Sequence, residues 1–590
     1  MTGRVVFPTL MMVLAACVRA PLPPPAPPLQ MRVVAPVSAP LLLPAESPSP
    51  PQVEVLLSRM TLEDKVGQLM MVGFAGKEVD PAITQLLRGY RVGGVCVFGR
   101  NIASAAQIGR LNDEVRALMS DSVPPFIAVD QEGGNVVRLS DGNLVLPGNM
   151  VLGAARQPEL AYLAGLAQGE DLHRLGFNMN LAPVLDVNSN PLNPVIGIRA
   201  FGDDVALVSE LGARFVEGQQ DAHIVTVAKH FPGHGAVDAD SHKSLPIVRA
   251  PLLQVRQQLR PFEAAMEAGL DGLMTAHIAT PALTGDELPA TLSPRVLGGV
   301  LREELHFKGL VITDELEMDA IDRRYGVGRA AVLAVSAGAD MVLIPWRLEK
   351  KEEVWLALLE AARSGEISPA RLDEAVRRIL HAKVSRGLFE ALPPLQTRLA
   401  SLGEKRELAG RIASAGVTLL RSKARLFPLE TSKRVAVIST EASFITAMGR
   451  RFPQMTSLLV PAIPAARARD DLKLQTRALA EAAEVVVVSV TNSRQLELVT
   501  NAALSGRPVI TVVLGAPYLA AQVHASKVVL LTYSYREAAT EAAAAAIVGE
   551  KGTPGKLPVA LPQLPFGHGL DPVGRRLASQ QAAPAPGGAP

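Results

Sequence analysis

Short runs of consecutive apolar residues recur along the first two thirds of the chain, separated by stretches with helical periodicity. Eight such runs cover residues 68–74, 92–98, 125–130, 178–187, 225–230, 273–278, 310–316 and 341–345. Continuous rather than alternating hydrophobicity is typical of strands buried on both faces, as in parallel sheets. Eight strands alternating with helices predict an α/β fold whose N-terminal part, residues 53–395, is a (β/α)8 barrel of the TIM type. A doubly wound sheet is the alternative, because this pattern does not encode strand order.

The segments between these runs carry helix signals. Thr61, followed by Glu63 and Asp64, predicts a capped helix start. Residues 329–336 and 353–363 have the composition and periodicity of two further helices.

A second group of apolar runs predicts a separate, smaller domain. The runs cover residues 434–438, 485–490, 509–514 and 528–532, and alanine-rich helical stretches such as 536–548 accompany them. We expect an α/β/α sandwich over residues 410–562, joined to the barrel by a connector at 396–409. The region has no GxxxxGK[ST] loop and no well-placed GxGxxG, so nucleotide binding has no support.

Both ends of the chain differ in composition from the two domains. Arg4 precedes an apolar stretch that is too short to span a bilayer and ends at Ala15, Ala16 and Cys17. This pattern is typical of a bacterial lipoprotein signal, residues 1–17, with Cys17 lipidated; an ordinary secretory signal is the alternative. The proline-rich residues 18–52 would be an extended tether to a membrane of the cell envelope, and residues 563–590 a disordered tail.

Composition excludes some classes of function. The 590 residues are 48% hydrophobic and 20% charged, with a net charge of +2. A balance this close to neutral, without long basic runs, gives no reason to expect a nucleic-acid partner. The two cysteines, Cys17 and Cys96, make no disulfide framework, and Cys96 is expected to be a buried apolar residue.

Titratable residues concentrate where the predicted strands end. The fifth strand runs into KHFPGHG, residues 229–235, and DSH, residues 240–242, where proline and glycine exclude a regular helix. Four other predicted strands carry polar residues at or just beyond their ends. The residues are Asp130, Gln131, Glu132 and Arg138 at the third strand, Asp186, Asn188, Asn190, Asn193 and Arg199 at the fourth, His277 at the sixth, and Asp314 and Glu315 at the seventh. Strand ends of a barrel converge on one rim, where barrels bind substrates. We therefore predict an active site that binds a hydroxyl-rich ligand through charge-assisted hydrogen bonds.

Four motifs resemble glycoside hydrolase family 3, and within it the β-N-acetylglucosaminidases of the NagZ type. They are KHFPGHG with DSH at 229–242, AVDQEGG at 128–134, RAFG at 199–202 and ITDELEM at 312–318. The resemblance covers residues 52–395 closely. It extends loosely to the second domain, where residues 555–559 resemble a closing strand.

The resemblance implies a retaining mechanism in which Asp314 is the nucleophile and His242, oriented by Asp240, is the acid/base. A carboxylate that accepts from one ring nitrogen fixes the histidine tautomer and leaves the other nitrogen to protonate the leaving group. Glu315 is the rival nucleophile, but strand alternation is expected to turn it away from the substrate. The positions that would bind the terminal sugar are Asp130, Arg138, Arg199, Lys229 and His230.

The resemblance implies an exo-β-N-acetylglucosaminidase without a cofactor, acting on cell-wall muropeptides or related oligosaccharides that contain GlcNAc. A β-glycosidase or phosphorylase of the same family, and an inactive wall-binding lipoprotein, are the alternatives. A metal site built from His230, His234, Asp240 and His242 is disfavoured, because Pro232 and the following glycine break the helical spacing of the first two.

Overall fold

Eight parallel strands close into a barrel in a computed structural model that describes residues 50–140, 145–400, 406–423, 426–463 and 469–577. The strands are β1 Met70–Gly73, β2 Gly94–Val97, β3 Phe126–Val129, β4 Met179–Asn180, β5 Val225–Phe231, β6 Gly272–Thr275, β7 Leu310–Glu315 and β8 Met341–Ile344. Neighbours along the chain are neighbours in the barrel, and β8 closes onto β1. The predicted TIM-type barrel is confirmed, and the doubly wound alternative is wrong.

Helices surround the barrel and continue into the second domain. They are α1 Pro51–Arg59, α2 Leu62–Gln68, α3 Pro81–Thr84, α4 Ala105–Ala117, α5 Asn149–Ala155, α6 Pro158–Arg174, α7 Val205–Asp221, α8 Leu252–Gln257, α9 Arg260–Glu267, α10 Pro281–Thr284, α11 Asp319–Tyr325, α12 Val327–Ala337, α13 Leu348–Ser364, α14 Pro369–Ser385, α15 Leu395–Ala400, α16 Arg406–Gly416, α17 Ala442–Gly449, α18 Arg469–Ala482, α19 Leu496–Ala503 and α20 Glu537–Ile547. The predicted cap forms: Thr61 Oγ1 accepts the backbone N–H of Asp64 at 3.2 Å, and Asp64 accepts that of Thr61 at 2.9 Å. Helices α12, α13 and α20 lie at the predicted positions.

The second domain contains a six-stranded sheet in the order β11-β10-β12-β13-β14-β9. The strands are β9 Thr418–Ser422, β10 Val435–Ser439, β11 Thr456–Leu459, β12 Val485–Val490, β13 Val509–Val513 and β14 Val528–Leu531. The four predicted strands are present, and the sequence analysis missed the two edge strands. Strand β11 is largely exposed, so it has no apolar run, and β9 ends in Arg421 and Ser422. Strand β9 pairs antiparallel with β14, whereas the other pairs are parallel.

Residues 555–559 form an irregular segment rather than the expected closing strand. The segment packs against the barrel: the N–H of Asp203 donates to the carbonyl of Pro558 at 3.1 Å. A Cβ on Gly202 would lie 2.3 Å from the same carbonyl, so only glycine allows this approach. The carbonyl of Pro558 therefore bonds the barrel, whereas the N–H of Gly555 donates to Val417 O, directly before β9, at 2.9 Å.

Three predicted boundaries need correction. The tether, residues 18–52, overlaps the start of α1, and the connector, residues 396–409, overlaps α15 and α16. The tail, predicted from residue 563, begins too early, because residues up to 577 bond to the sandwich: the N–H of Leu570 donates to Leu419 O at 2.9 Å. The predicted signal and Cys17 lie outside the described residues.

The described parts of the barrel and the sandwich belong to one compact unit. None of the helices in the described ranges is long and apolar enough to cross a bilayer. Cys96 is fully buried in β2, as predicted.

Candidate active site

A pocket of about 510 Å³ opens at the mouth of the barrel, where the carboxyl ends of the strands meet. It is lined by Phe98, Gly99, Arg100, Asp130, Glu132, Val136, Arg138, Leu181, Val195, Arg199, Lys229, His230, His234, Ser241, His242, Met274, Asp314, Glu315, Leu343 and Trp346. The predicted catalytic pair, Asp314 and His242, and the five predicted sugar-binding residues all lie in this lining. Asp240 contacts the pocket through His242.

Two carboxylates and two cations form a buried ion cluster on one side of the pocket. Lys229 Nζ lies 2.6 Å from Asp130 Oδ1 and 2.8 Å from Glu132 Oε1. Arg199 donates to both carboxylate oxygens of Glu132, from Nε at 2.9 Å and from Nη2 at 2.8 Å. Burial alone would raise the pKa of Glu132, but the charges of Arg199 and Lys229 outweigh it and hold that pKa far below its usual value.

Arg138 extends this cluster towards the opening of the pocket. Its Nη2 lies 3.6 Å from Asp130 Oδ2, and its side chain is about one third exposed. Asp130 therefore has positive groups on two sides, and its carboxyl oxygens lie beside the pocket, where they can accept hydrogen bonds from ligand hydroxyls.

Asp186 holds the histidine-rich segment in place from beneath. Its Oδ2 accepts from Nδ1 of His230 at 2.7 Å, and its Oδ1 accepts the backbone N–H of His234 at 2.5 Å. Burial raises the pKa of Asp186, but His230 and His234 lower it further than burial raises it. Because Asp186 accepts at Nδ1, the Nε2 atom of His230 is left to face the pocket.

Asp314 lies at the end of β7 and is half-buried in the pocket. Its Oδ1 accepts the backbone N–H of Glu315 at 2.8 Å. Burial raises its pKa, but the neighbouring His230 and His277 outweigh burial, so the pKa is lowered and the carboxylate stays ionised. An ionised carboxylate is what a nucleophile at this position requires.

The expectation that Glu315 faces away from the pocket is wrong. The pairing of β7 with β8 shifts between Ile312 and Glu315, and this irregularity breaks strict alternation. Both Asp314 and Glu315 therefore line the pocket. Burial, then the charges of Asp314 and Glu317, raises the pKa of Glu315 to about 8.

The 240–242 segment carries a hydrogen-bonded carboxylate–imidazole pair. Asp240 Oδ1 accepts from Nδ1 of His242 at 2.9 Å and from its backbone N–H at 3.0 Å. The His242 side chain is 60% exposed, so its Nε2 atom is accessible from the pocket. Ser241 is buried and its Oγ lies 3.0 Å from Nε2 of His234, so His234 braces this loop.

Sequence reasoning missed two aromatic side chains in the pocket lining, Phe98 and Trp346. The rings of Phe98 and Trp346 lie 4.9 Å apart, and the Arg100 guanidinium lies 4.6 Å and 4.3 Å from their respective centroids. Both rings end or directly follow predicted strands, so the strand-end rule applied to the other residues could have found them. Trp346 is 50% exposed. An exposed aromatic face of this kind can pack against the apolar face of a sugar ring.

The second domain supports two loops that border the site. Nε of Arg536 donates to the carbonyl of Gly134 at 2.7 Å, and Asn188 Nδ2 donates to the hydroxyl of Tyr518 at 2.7 Å. All described residues that line the pocket itself belong to the barrel. Within the described ranges, no group of three or more His, Cys, Asp or Glu side chains is placed to hold a metal ion.

The model of the glycosyl hydrolase family 3 N-terminal domain matches residues 61–382. "Beta-hexosaminidase A" of Pseudoalteromonas piscicida is 33% identical over 382 residues, which are 60% of this chain and 63% of that protein. The match thus spans less than two thirds of that relative. A "Beta-hexosaminidase" of Nitrosomonas eutropha is 38% identical over 283 residues, 47% of this chain and 80% of its own.

Solved structures agree with this assignment. The family 3 β-N-acetylglucosaminidase from Paenibacillus sp. str. FPU-7 superposes with a TM-score of 0.80 at 37% identity, covering 85% of this chain and 99% of that chain. A β-glucoside phosphorylase has a TM-score of 0.73 at 23% identity over 86% of this chain and 96% of its own, a likeness of fold alone. The family resemblance of the four motifs is confirmed, and the chain belongs to glycoside hydrolase family 3.

Proposed function

We propose that this protein is a retaining exo-β-N-acetylglucosaminidase that removes terminal β-GlcNAc residues. The observation that carries the proposal is the presence of an ionised Asp314 and a carboxylate-oriented His242 in the lining of one pocket. The names of the relatives support the GlcNAc specificity, since β-hexosaminidases and a β-N-acetylglucosaminidase are among them.

In the first step, a carboxylate oxygen of Asp314 attacks the anomeric carbon as the bond to the leaving oxygen breaks. Nε2–H of His242 gives its proton to that oxygen, while Asp240 keeps hold of Nδ1–H and stabilises the charged imidazole until the transfer. The product of this step is a glycosyl ester on Asp314 and a neutral His242.

In the second step, the neutral His242 accepts a proton from a water molecule at Nε2. The water oxygen attacks the anomeric carbon, and the ester bond to Asp314 breaks. Two inversions at the same carbon give net retention, so the first product is the β-anomer. The enzyme returns to an ionised Asp314 and a protonated His242.

The ion cluster supplies the contacts that orient the sugar. Asp130 accepts from sugar hydroxyls, Arg138, Arg199 and Lys229 donate to sugar oxygens, and His230 contacts the sugar through Nε2. Since their partners already hold these side chains in fixed positions, little rotamer entropy remains to be lost on binding.

The natural substrates and the location belong to the same proposal. Cell-wall muropeptides or related GlcNAc oligosaccharides fit a lipoprotein of the bacterial envelope that is anchored through Cys17, as the N-terminal pattern indicates. Such an anchor would hold the enzyme near its polymer.

Two alternatives predict different behaviour. A family 3 β-glucosidase would take its acid from a carboxylate of the second domain, and among the described lining residues none comes from that domain. A phosphorylase is favoured by one feature, a histidine acid, because a neutral imidazole repels phosphate less than a carboxylate does.

The test is a panel of aryl β-glycosides assayed with and without phosphate, with the product anomer followed by proton NMR. We expect turnover of the β-GlcNAc glycoside alone, independence from phosphate, and β-GlcNAc as the first product. Phosphate-dependent release of a sugar phosphate would replace the hydrolase by a phosphorylase, and preference for the β-glucoside would contradict the GlcNAc specificity.

A further inference from the structure

The mechanism leaves one titratable residue of the pocket without a role. Glu315 follows the nucleophile directly in the chain and is half-buried in the same lining. Nothing in the two chemical steps uses it, although its carboxyl group lies beside the reacting centre.

The backbone around Glu315 is fixed on both sides. Its carbonyl accepts from Nε2 of the fully buried His277 at 2.9 Å, and its N–H donates to Asp314 at 2.8 Å. With the register shift against β8, these bonds hold both side chains towards the pocket. The orientation of Glu315 is therefore built into the end of the strand.

The charged groups that face the Glu315 carboxyl group are mostly negative. They are Asp314 and Glu317 from its own segment, Asp130 from the end of β3, and Arg100 after β2. The indole of Trp346, after β8, lies near the carboxyl group and lowers its pKa, but less than burial and the negative charges raise it. Two adjacent half-buried carboxyl groups do not both ionise readily, and one of them keeps its proton.

The proton belongs on Glu315 rather than on Asp314. Asp314 has a backbone N–H donor and lies near His230 and His277, which favour its charged form. Burial and the nearby negative charges raise the pKa of Glu315 to about 8, so at neutral pH its carboxyl group is an O–H donor.

We propose that Glu315 binds the sugar as a neutral carboxylic acid and donates a hydrogen bond to a sugar oxygen, beside the ionised Asp314. Asp314 thus attacks the anomeric carbon, and the neighbouring Glu315 binds the sugar. The inference rests on the proposed glycosidase function and adds a specificity-determining residue to it.

The test compares kcat/KM from pH 6 to 10 for the wild type, Glu315→Gln and Glu315→Ala, with 2,4-dinitrophenyl β-GlcNAc as substrate. This leaving group departs without protonation, so the state of His242 does not affect the rate of the first step. Glutamine keeps a donor but cannot ionise, whereas alanine removes the donor. Glu304→Gln, at a surface pair with Arg256, is the matched control.

We expect wild-type kcat/KM to fall as pH rises through about 8, where Glu315 loses its proton. Glu315→Gln should stay within about threefold of the wild type at pH 7 and lose this alkaline limb, because glutamine keeps a donor and does not ionise. Glu315→Ala should lose about 10- to 100-fold at pH 7, because it removes the donor to the ligand. A thermal melt of each variant establishes that it is folded.

Two results would overturn the inference: an alkaline limb that persists unchanged in Glu315→Gln, or full activity in Glu315→Ala. If the alanine variant does not fold, the pH profile of the glutamine variant decides. Absence of wild-type hydrolysis of the β-GlcNAc glycoside would contradict the proposed function itself. The two failures are therefore distinguishable.

Discussion

Substitution of Glu132 by glutamine tests the energetic role of the buried ion cluster. The Glu132 side chain is 2% exposed and binds Arg199 at 2.8 and 2.9 Å and Lys229 at 2.8 Å. Glutamine preserves the volume and one acceptor, but it turns an N–H group towards the two cations. Removing one partner of a buried ion pair lowers the free energy of unfolding by about 3–5 kcal/mol. We expect the lower end of this range, because Lys229 keeps its ion pair with Asp130.

For a domain of this size, a loss of about 3 kcal/mol lowers the midpoint of thermal unfolding by roughly 5 °C. The measurement is circular dichroism melting at pH 7, together with KM for the aryl glycoside. KM should rise because Arg199 and Lys229 lose the partner that fixes them. Glu63→Gln, at the exposed pair with Arg363, is the matched control and should change stability by less than about 1 kcal/mol.

The contribution of Glu132 to the free energy of unfolding depends on pH in a definite direction. The pKa of Glu132 is depressed in the folded state, so its stabilisation is present above the unfolded value of about 4.3 and is lost as pH falls. The gap in melting temperature between the wild type and Glu132→Gln should therefore narrow below about pH 4. Equal melting of Glu132→Gln and the wild type at pH 7 would refute the reasoning.

Two further substitutions test the loop and the fold. His242→Ala should lower kcat/KM by about 10²–10⁴-fold for a GlcNAc disaccharide, whose leaving group needs a proton, and much less for the dinitrophenyl glycoside; equal losses on both substrates would count against the acid role. Thr61→Ala removes the cap of α2 and should destabilise the barrel by about 1 kcal/mol in urea unfolding; Ser58→Ala, at an exposed hydroxyl near the same helix, should change it much less.

The sequence predicted the elements whose signal is local. The eight barrel strands are short apolar runs buried on both faces, and the polar residues after them identified the mouth of the barrel. Strand β11 was not predicted, because it is an exposed edge strand and needs no run of buried apolar residues.

Features that depend on distant partners could not be predicted in the same way. The orientation of Glu315 follows from its register against β8, which strand alternation alone does not reveal. Glu132 and Asp186 were visible as strand-end polar residues, but their roles arise from pairs with residues 67 and 44 positions away, Arg199 and His230. Such pairs exist only after the barrel has closed.

The central claim is that Asp314 forms the glycosyl–enzyme. The most direct measurement is to trap that intermediate with a 5-fluoro-GlcNAc fluoride, whose ester hydrolyses slowly, and to locate the modification by peptide mass spectrometry. We predict one added sugar per chain, on Asp314, and none in Asp314→Ala, while the surface control Asp121→Ala is labelled like the wild type. A sugar attached to Glu315, or inactivation without a covalent adduct, would contradict the account.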